Sequence, residues 1–346
     1  MDAGGDLATR LRDLLRETLR EPALDFAERP SRISGGFDTR IFAFRLSGAP
    51  PAFAGSLILR LLDRHHDPAR AMRERATQNA LVELGYPAPG VLFAGIDAAP
   101  LGGAFLIMER LAGKPLPEVR LLGMARVVAD LQARLHDLDA DAFLRRLARD
   151  DLAPQSFTFD AHLEQLANRV ERFSLAGLAP GIEWLRQRQP TPGGRGAVCH
   201  GDFHPYNILM AADRVTGVLD WPHAVVADPE FDVATTLVIL KLVPMEVSDL
   251  SAPFRWLANA ARPLLVAAYL RGYRHRRELD RGKVAYYEAA ACMKVLVRAG
   301  ELRLAPTAAG APNALFASTF TERALGHFRG LTGITPVLPA ATPSVA

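Results

Sequence analysis

The 346-residue sequence is poor in cysteine and in long apolar runs, and each shortage excludes a class of protein. Its two cysteines, Cys199 and Cys292, are too few for a disulfide framework or a cysteine-based zinc site, which indicates a reducing compartment. No stretch approaches the roughly 18 uninterrupted apolar residues of a transmembrane helix. The N-terminus has no apolar signal-peptide region. We therefore expect a cytoplasmic protein that makes no use of a membrane.

Lysine is also scarce. Only four of the 41 basic residues are lysine, and the first of them is Lys114. The N-terminal part of the chain must therefore use arginine wherever it needs a cation. Against 38 acidic residues the net charge is only +3, a weak argument for nucleic-acid binding, and 49% apolar residues are ample for a core.

The pattern of apolar residues and chain breakers predicts a strand-rich N-terminal part. Residues 6–20 have the spacing of an amphipathic helix. Between 32 and 62, glycine and proline interrupt short apolar runs, which predicts two or three strands joined by turns. A helix with clear start and stop signals follows over 67–84, and two further strands are expected at 91–94 and 104–108.

Beyond residue 117 the pattern is mostly helical, with three short apolar runs between residues 197 and 219. Helices are expected over about 119–138 and 160–174, and over four segments after Asp228. The predicted organisation is an N-lobe over 1–109, a hinge at 110–113, a helical C-lobe over 114–330 and a loose proline-rich tail over 331–346.

The densest group of reactive side chains lies in the predicted C-lobe, where a stretch of eight residues contains His200, Asp202, His204 and Asn207. Asp220 follows thirteen residues after Asn207, at the end of the third apolar run. A loop Asp, an Asn five residues later and an Asp at the end of a nearby strand can converge on one point. Oxygen ligands of this kind suit Mg²⁺, and the remaining Asp can accept a proton from an attacking hydroxyl.

This segment resembles the catalytic loop and metal hairpin of the aminoglycoside phosphotransferase and choline kinase-like family, whose pattern is HGDxxxxN followed by Asp-Trp or Asp-Phe. The resemblance covers about residues 25–330. It implies a two-lobed, protein-kinase-like α+β fold that binds ATP and Mg²⁺ in the cleft between its lobes. It also implies Asp202 as the catalytic base and Asn207 and Asp220 as the Mg²⁺ ligands.

The same resemblance places nucleotide-binding residues in the N-lobe. Ser34, Gly35 and Gly36 lie where the family has its phosphate-covering loop, in which glycines let backbone amides approach phosphate. Arg60 stands where kinases place a lysine on the third strand, and Glu74 would be its carboxylate partner.

Three more residues take expected roles from the family. Backbone groups of Glu109 and Leu111, in the stretch that resembles the hinge, would bind the adenine edge, and Asp232 would brace the catalytic loop through its backbone. His200 is expected to be structural, with a hydrogen bond to the loop or to the segment of Asp220.

Less specific interpretations stay open. The glycines at 35 and 36 fit a plain turn, Arg60 and Glu74 fit ordinary surface charges, and Asp232 fits a helix first-turn acid. His200, Asp202, His204 and His223 could instead bind zinc in a hydrolase. Cys199 fits a core thiol better than a nucleophile. The absence of a lysine from the predicted N-lobe is the one feature that favours a non-catalytic nucleotide-binding regulator.

The compound whose hydroxyl would accept the phosphoryl group is constrained only by the charge of the chain. Residues 233–346 contain 14 basic and 7 acidic residues, a net charge of 14 − 7 = +7. The acceptors of the family range from aminoglycosides to choline and homoserine, so the resemblance selects none of them. A basic C-lobe favours a small hydroxyl acceptor that is not strongly cationic. The basic run 271–277 fits either a solvated helix end or an anion-binding patch.

Overall fold

The structure is a computed structural model that describes residues 3–33, 39–63, 67–97, 99–244, 259–304 and 314–340. The chain divides into two compact units, and each is described separately. The first unit comprises Met1–Val119, Phe143–Leu152 and Tyr206–Pro222, and the second comprises Arg120–Ala142, Ala153–Pro205 and His223–Ala346.

An antiparallel sheet of five strands, in the order β1-β2-β3-β5-β4, forms the centre of the first unit. Its elements are α1 (Ala3–Leu19), β1 (Asp25–Arg32), β2 (Thr39–Ser47), β3 (Ser56–Leu62), α2 (Ala69–Glu83), β4 (Val91–Gly95) and β5 (Phe105–Glu109). The strands predicted between residues 32 and 108 are therefore present, and β1 begins earlier than the sequence indicated.

Strand β3 presents alternate side chains to two separate cores. Leu57, Leu59 and Leu61 pack in one cluster with the leucines of α1, whereas Leu62 packs in a second cluster with Ala71 of α2. Because side chains of a strand alternate between its faces, the residues between the three leucines point toward α2. This alternation places Arg60 on the side of the sheet that carries α2.

The first unit also contains a small three-stranded sheet in the order β6-β8-β9. Its strands are β6 (Lys114–Pro115), β8 (Ile208–Ala211) and β9 (Arg214–Val218), and a short helix α3 (Leu116–Val119) follows β6. The backbone N–H of Val218 donates to the carbonyl of Pro87 over 2.7 Å, which ties the hairpin β8–β9 to the chain before β4. The predicted lobe boundaries remain a prediction.

The second unit is mainly helical and has one two-stranded antiparallel sheet. Its elements are α4 (Met124–His136), α6 (Phe159–Arg172), α7 (Ala179–Gln187), β7 (Ala197–Cys199), β10 (Val225–Ala227), α8 (Pro229–Leu242), α9 (Arg262–Arg274), α10 (Arg281–Leu304) and α11 (Ala314–Thr332). Helix α5 (Ala140–Arg149) follows α4 along the chain, and most of its residues belong to the first unit. None of the helices that the structure describes is both long and apolar enough to cross a membrane.

Several predicted boundaries differ from the structure for local reasons. The helix expected over 119–138 is divided, because Gly123 adopts a left-handed φ of +78° just before α4 begins. The helix expected over 67–84 begins at Ala69, whose N–H donates to the Asp67 carboxylate over 2.9 Å. The apolar run at 197–199 pairs with β10 rather than with the hairpin, and β10, at three residues, is too short for a recognisable pattern.

Candidate active site

Arg60 binds two carboxylates within the first unit. Its Nη1 donates to Glu74 on α2 over 2.5 Å, and its Nη2 donates to Asp220 over 2.8 Å. The Glu74 side chain is 1% exposed, that of Arg60 12% and that of Asp220 37%. The guanidinium is thus anchored on a buried carboxylate, while the second carboxylate stays accessible to a ligand.

Glu74 depends on Arg60 for its charge. Its Oε1 accepts from Arg60 and from Gln78 Nε2 at 3.2 Å, whereas its Oε2 has no hydrogen-bond partner among the described residues. Burial raises the pKa of Glu74 above its usual value, and the Arg60 charge acts in the opposite direction. The ion pair is therefore what favours the ionised carboxylate at this position.

The hairpin β8–β9 brings Asn207 and Asp220 to its open end. The N–H of Leu219 donates to the carbonyl of Asn207 over 2.8 Å, and Ile208 pairs with Val218 in the ladder. Asp220 follows with a φ of +68°, a conformation that a residue other than glycine rarely adopts. An amide oxygen and an accessible carboxylate at one hairpin end match the oxygen ligands that Mg²⁺ prefers, so the residues fit the predicted metal.

The predicted catalytic loop begins at a fully buried histidine in the second unit. His200 is 0% exposed, and its Nδ1 accepts from the N–H of Asp202 over 3.2 Å. Gly201 has a φ of +74°, and a Cβ there would lie 2.5 Å from the carbonyl oxygen of His223. Only glycine fits this turn, which orients Asp202 immediately after it.

Asp232 holds this turn from within helix α8. Its Oδ1 accepts from the N–H of Gly201 over 2.8 Å, and its Oδ2 lies 3.2 Å from Nε2 of His136 on α4. Burial acts to raise the Asp232 pKa, but the hydrogen bond and charge of His136, the charge of His200 and a hydrogen bond from Gln132 together outweigh it and hold the pKa below its usual value. The structure thus places Asp232 against the loop backbone, and its role in bracing the loop remains a prediction.

The predicted hinge residues lie at the end of β5. The N–H of Glu109 donates to the carbonyl of Gly90 over 2.9 Å, and the N–H of Arg110 donates to Ser56 over 2.9 Å. Both donors are thus used by the sheet, which leaves the predicted adenine contacts to the carbonyl of Glu109 and the N–H of Leu111. The predicted phosphate-covering residues Ser34, Gly35 and Gly36 lie outside the described residues.

The zinc interpretation finds no ligand set. Among the described residues, no three side chains of His, Cys, Asp or Glu converge on a point that could hold a metal ion. His204 Nε2 lies 3.9 Å from Asp202 Oδ2, which makes it a neighbour of the predicted base. Cys199 is fully buried and burial raises its pKa, as expected of a core thiol.

Residues 30–286 match the model of a family described as the phosphotransferase enzyme family. The chain belongs to this phosphotransferase family. It is 30% identical over 210 residues to a homoserine kinase of Beijerinckia indica, covering 58% of this chain and 59% of that protein. It is 25% identical over 175 residues to human acyl-CoA dehydrogenase family member 11, covering 47% of this chain and 22% of that protein. The chain thus spans less than two thirds of the length of these curated relatives.

Solved structures of similar proteins confirm the protein-kinase-like α+β fold. The aminoglycoside phosphotransferase APH(4)-Ia aligns with a TM-score of 0.60 at 16% identity, covering 93% of this chain and 98% of that chain. A second structure of that protein, a thermostable mutant, contains ADP and hygromycin B. An ethanolamine kinase of Plasmodium vivax aligns with a TM-score of 0.55 at 14% identity, covering 92% of this chain and 87% of that chain.

Two side chains at the catalytic loop of this phosphotransferase family member were not found from its sequence. Thr236 donates to the carbonyl of Phe203 over 2.8 Å, and Lys294 donates to the carbonyl of Gly201 over 2.9 Å. Thr236 lies one helical turn after Asp232, so its position on the same face of α8 was a usable signal. For Lys294 the only signal was the rarity of lysine.

The basic run 271–277 is partly used within the second unit. Arg277 Nη1 donates to the carbonyl of His136 over 2.7 Å and to the carboxylate of Asp137 over 2.8 Å. Arg276 lies 3.4 Å from Asp130. These contacts join the C-terminal end of α9 to α4, a structural use of two of the arginines.

Proposed function

We propose that this protein is a small-molecule kinase that transfers the γ-phosphoryl group of ATP to a hydroxyl, with Mg²⁺ as cofactor. The observation that carries the proposal is the guanidinium of Arg60, which joins the buried Glu74 to the accessible Asp220. A fixed cation beside a metal-type carboxylate is what the charged phosphates of a nucleotide require. Family membership and the Asp202, Asn207 and Asp220 pattern support the same reaction.

Asn207 and Asp220 would hold the Mg²⁺ ion. When bound, the ion would neutralise phosphate charge and make the γ-phosphorus more susceptible to nucleophilic attack by the hydroxyl. Arg60 would then donate to the phosphates, and Glu74 would keep its guanidinium in place. Ser34, Gly35 and Gly36 would cover the phosphates with backbone amides.

Adenine recognition is assigned to backbone groups. The carbonyl of Glu109 would accept from the base and the N–H of Leu111 would donate to it, since the N–H of Glu109 is already used by Gly90. Such recognition depends on main-chain position, so the side chains at these two positions carry little of the specificity. ADP in the structure of APH(4)-Ia is consistent with nucleotide use by this fold.

Asp202 would orient the acceptor hydroxyl and take its proton. The hydroxyl oxygen forms a bond to the γ-phosphorus, the bond between that phosphorus and the β,γ-bridging oxygen breaks, and ADP leaves. His200 and Asp232 contribute by fixing the turn that presents Asp202. Neither of them touches the reacting atoms in this proposal.

The acceptor is proposed to be a small hydroxyl compound that is not strongly cationic. Residues 233–346 carry a net charge of +7, which opposes a polycation. Homoserine, the substrate named in one relative, is a small zwitterion and fits this condition better than hygromycin B or another aminoglycoside.

The test is ADP release with MgATP across a panel of homoserine, ethanolamine, choline, sugars and aminoglycosides. We expect turnover with at least one acceptor, and we expect Asp202→Asn to reduce it by about 100-fold or more while nucleotide still binds. The exposed Asp213 on the same stretch of chain supplies the control Asp213→Asn, which should keep wild-type turnover. Nucleotide binding with no turnover across the panel would favour a non-catalytic regulator instead.

A further inference from the structure

Three of the four lysines lie on α8 and α10 of the second unit, and each contacts a carboxylate. Lys241 pairs with Glu288 and Lys283 pairs with Asp228, and both of these carboxylates are less than a tenth exposed. The third lysine, Lys294, lies 3.9 Å from the carboxylate of Asp202, which is 30% exposed. Two lysines thus serve buried structural pairs, while the third reaches the predicted catalytic base.

Lys294 also fixes the backbone next to that base. Its Nζ donates to the carbonyl of Gly201 over 2.9 Å, while the N–H of the same glycine donates to Asp232 over 2.8 Å. Gly201 is therefore held by a cation on its carbonyl and by an anion on its N–H. Both contacts act on the residue that immediately precedes Asp202.

Helix α10 gives the ammonium a rigid base. Lys294 lies in the middle of this helix of 24 residues, and its side chain is 19% exposed. The neighbouring Met293, Leu296 and Val297 are fully buried in the core of the second unit. A side chain that projects from so well packed a helix holds its charge at a defined place, which is what orienting another group requires.

We propose that Lys294 is a positioning residue for phosphoryl transfer. Its ammonium anchors the turn at Gly201 and attracts the Asp202 carboxylate, so that Asp202 meets the acceptor hydroxyl in one orientation. The inference rests on the proposed kinase function. Because the lysine acts through Asp202 and not on the nucleotide, its loss should lower kcat and leave the KM for MgATP nearly unchanged.

The experiment compares Lys294→Met with the matched control Lys241→Met, which removes a lysine of the same unit that pairs with the buried Glu288. A displacement of a catalytic group by about 1 Å costs about 100-fold in rate. We therefore expect Lys294→Met to lower kcat by about 10- to 100-fold. Lys241→Met should keep the wild-type kcat while its thermal stability falls.

Restoration of the cation separates a positioning role from a purely structural one. Lys294→Cys can be alkylated with bromoethylamine, which rebuilds an ammonium on a side chain of nearly the same length. Both natural cysteines are buried and burial raises their pKa, so the new thiol is the reactive one. We expect alkylation to restore most of the lost kcat, and Lys294→Arg to give an intermediate kcat because the guanidinium has a different geometry.

The outcomes distinguish the two proposals. A wild-type chain that turns over no acceptor in the panel overturns the kinase function and this inference with it. If the wild type is active and Lys294→Met has an unchanged kcat, the inference alone is overturned. A change in Lys294→Met that is confined to the KM for MgATP overturns it as well. If Lys294→Met fails to fold, the alkylated and unalkylated forms of Lys294→Cys decide the question, and equal kcat values for these forms overturn the positioning role.

Discussion

Two carboxylates of this chain, Glu74 in the first unit and Asp232 in the second, are both fully hidden from solvent but are held in opposite ways. Asp232 has a partner on each oxygen, and its pKa lies below the usual value. Glu74 has one oxygen that lacks a hydrogen-bond partner among the described residues, and burial raises its pKa. Equal burial therefore does not mean an equal role.

The difference follows from what each carboxylate supports. Asp232 accepts from the backbone of Gly201 and from His136, both of which are fixed parts of the second unit. Glu74 instead supports Arg60, whose second nitrogen is bound to the accessible Asp220. A buried carboxylate with a hydrogen-bond partner on both oxygens, here called saturated, braces a loop. One with a partner on a single oxygen, here called partly saturated, holds a cation that can still bind a ligand.

The largest effect is expected where the saturated network is broken. Asp232→Ala leaves the N–H of Gly201 and the ring of His136 without their buried partner, so the free energy of unfolding should fall by about 2–5 kcal/mol. Asp137→Ala removes a carboxylate that is 58% exposed, and its effect should stay within about 1 kcal/mol. Urea titrations followed by circular dichroism measure both. Equal losses in the two variants would refute the bracing role.

The sequence predicted those parts of the site that depend on local pattern. The start and stop signals around α2 predicted that helix, and the spacing of Asp202 and Asn207 between two apolar runs predicted a loop. These features need only helix boundaries and short spacings, so they can be read from one chain. The pairing of Arg60 with Glu74 was instead expected from the family resemblance, and the structure brings the two side chains together.

Contacts between distant parts of the chain could not be predicted in this way. Lys294 lies 93 residues from Gly201, and His136 lies 96 residues from Asp232. Each pair joins segments that only the tertiary fold of the second unit brings together, α10 with the loop after β7 and α4 with α8, and no local pattern records which segments will be neighbours. The scarcity of lysine marked Lys294 as unusual without showing its partner.

A second, smaller effect is expected at the partly saturated cluster. Arg60→Met removes the cation that we assign to the phosphates, so affinity for MgATP should fall by about 10- to 100-fold, the equivalent of one or two charged hydrogen bonds. Arg75→Met is the control, because Arg75 also pairs across the first unit, with Asp150 at 2.6 Å, but has no assigned ligand role. Calorimetry with a non-hydrolysable ATP analogue measures both. Unchanged affinity in Arg60→Met would remove this residue from the nucleotide site.

The smallest effect is a difference in pH dependence between Glu74→Gln and Asp232→Asn. A raised pKa means that folded Glu74 binds more protons than unfolded Glu74, so its contribution to stability falls as pH rises from the unfolded pKa to the folded one. The lowered pKa of Asp232 gives the opposite sign, since its contribution is complete above the unfolded pKa and is lost only as pH falls through the folded one. As pH rises from about 4.5 through the raised pKa of folded Glu74, the penalty of Glu74→Gln should therefore shrink, while that of Asp232→Asn stays constant. Urea midpoints of both variants and the wild type, taken at a series of pH values upward from about 4.5, measure this. Parallel pH dependence in the two variants would mean that the two carboxylates are held alike.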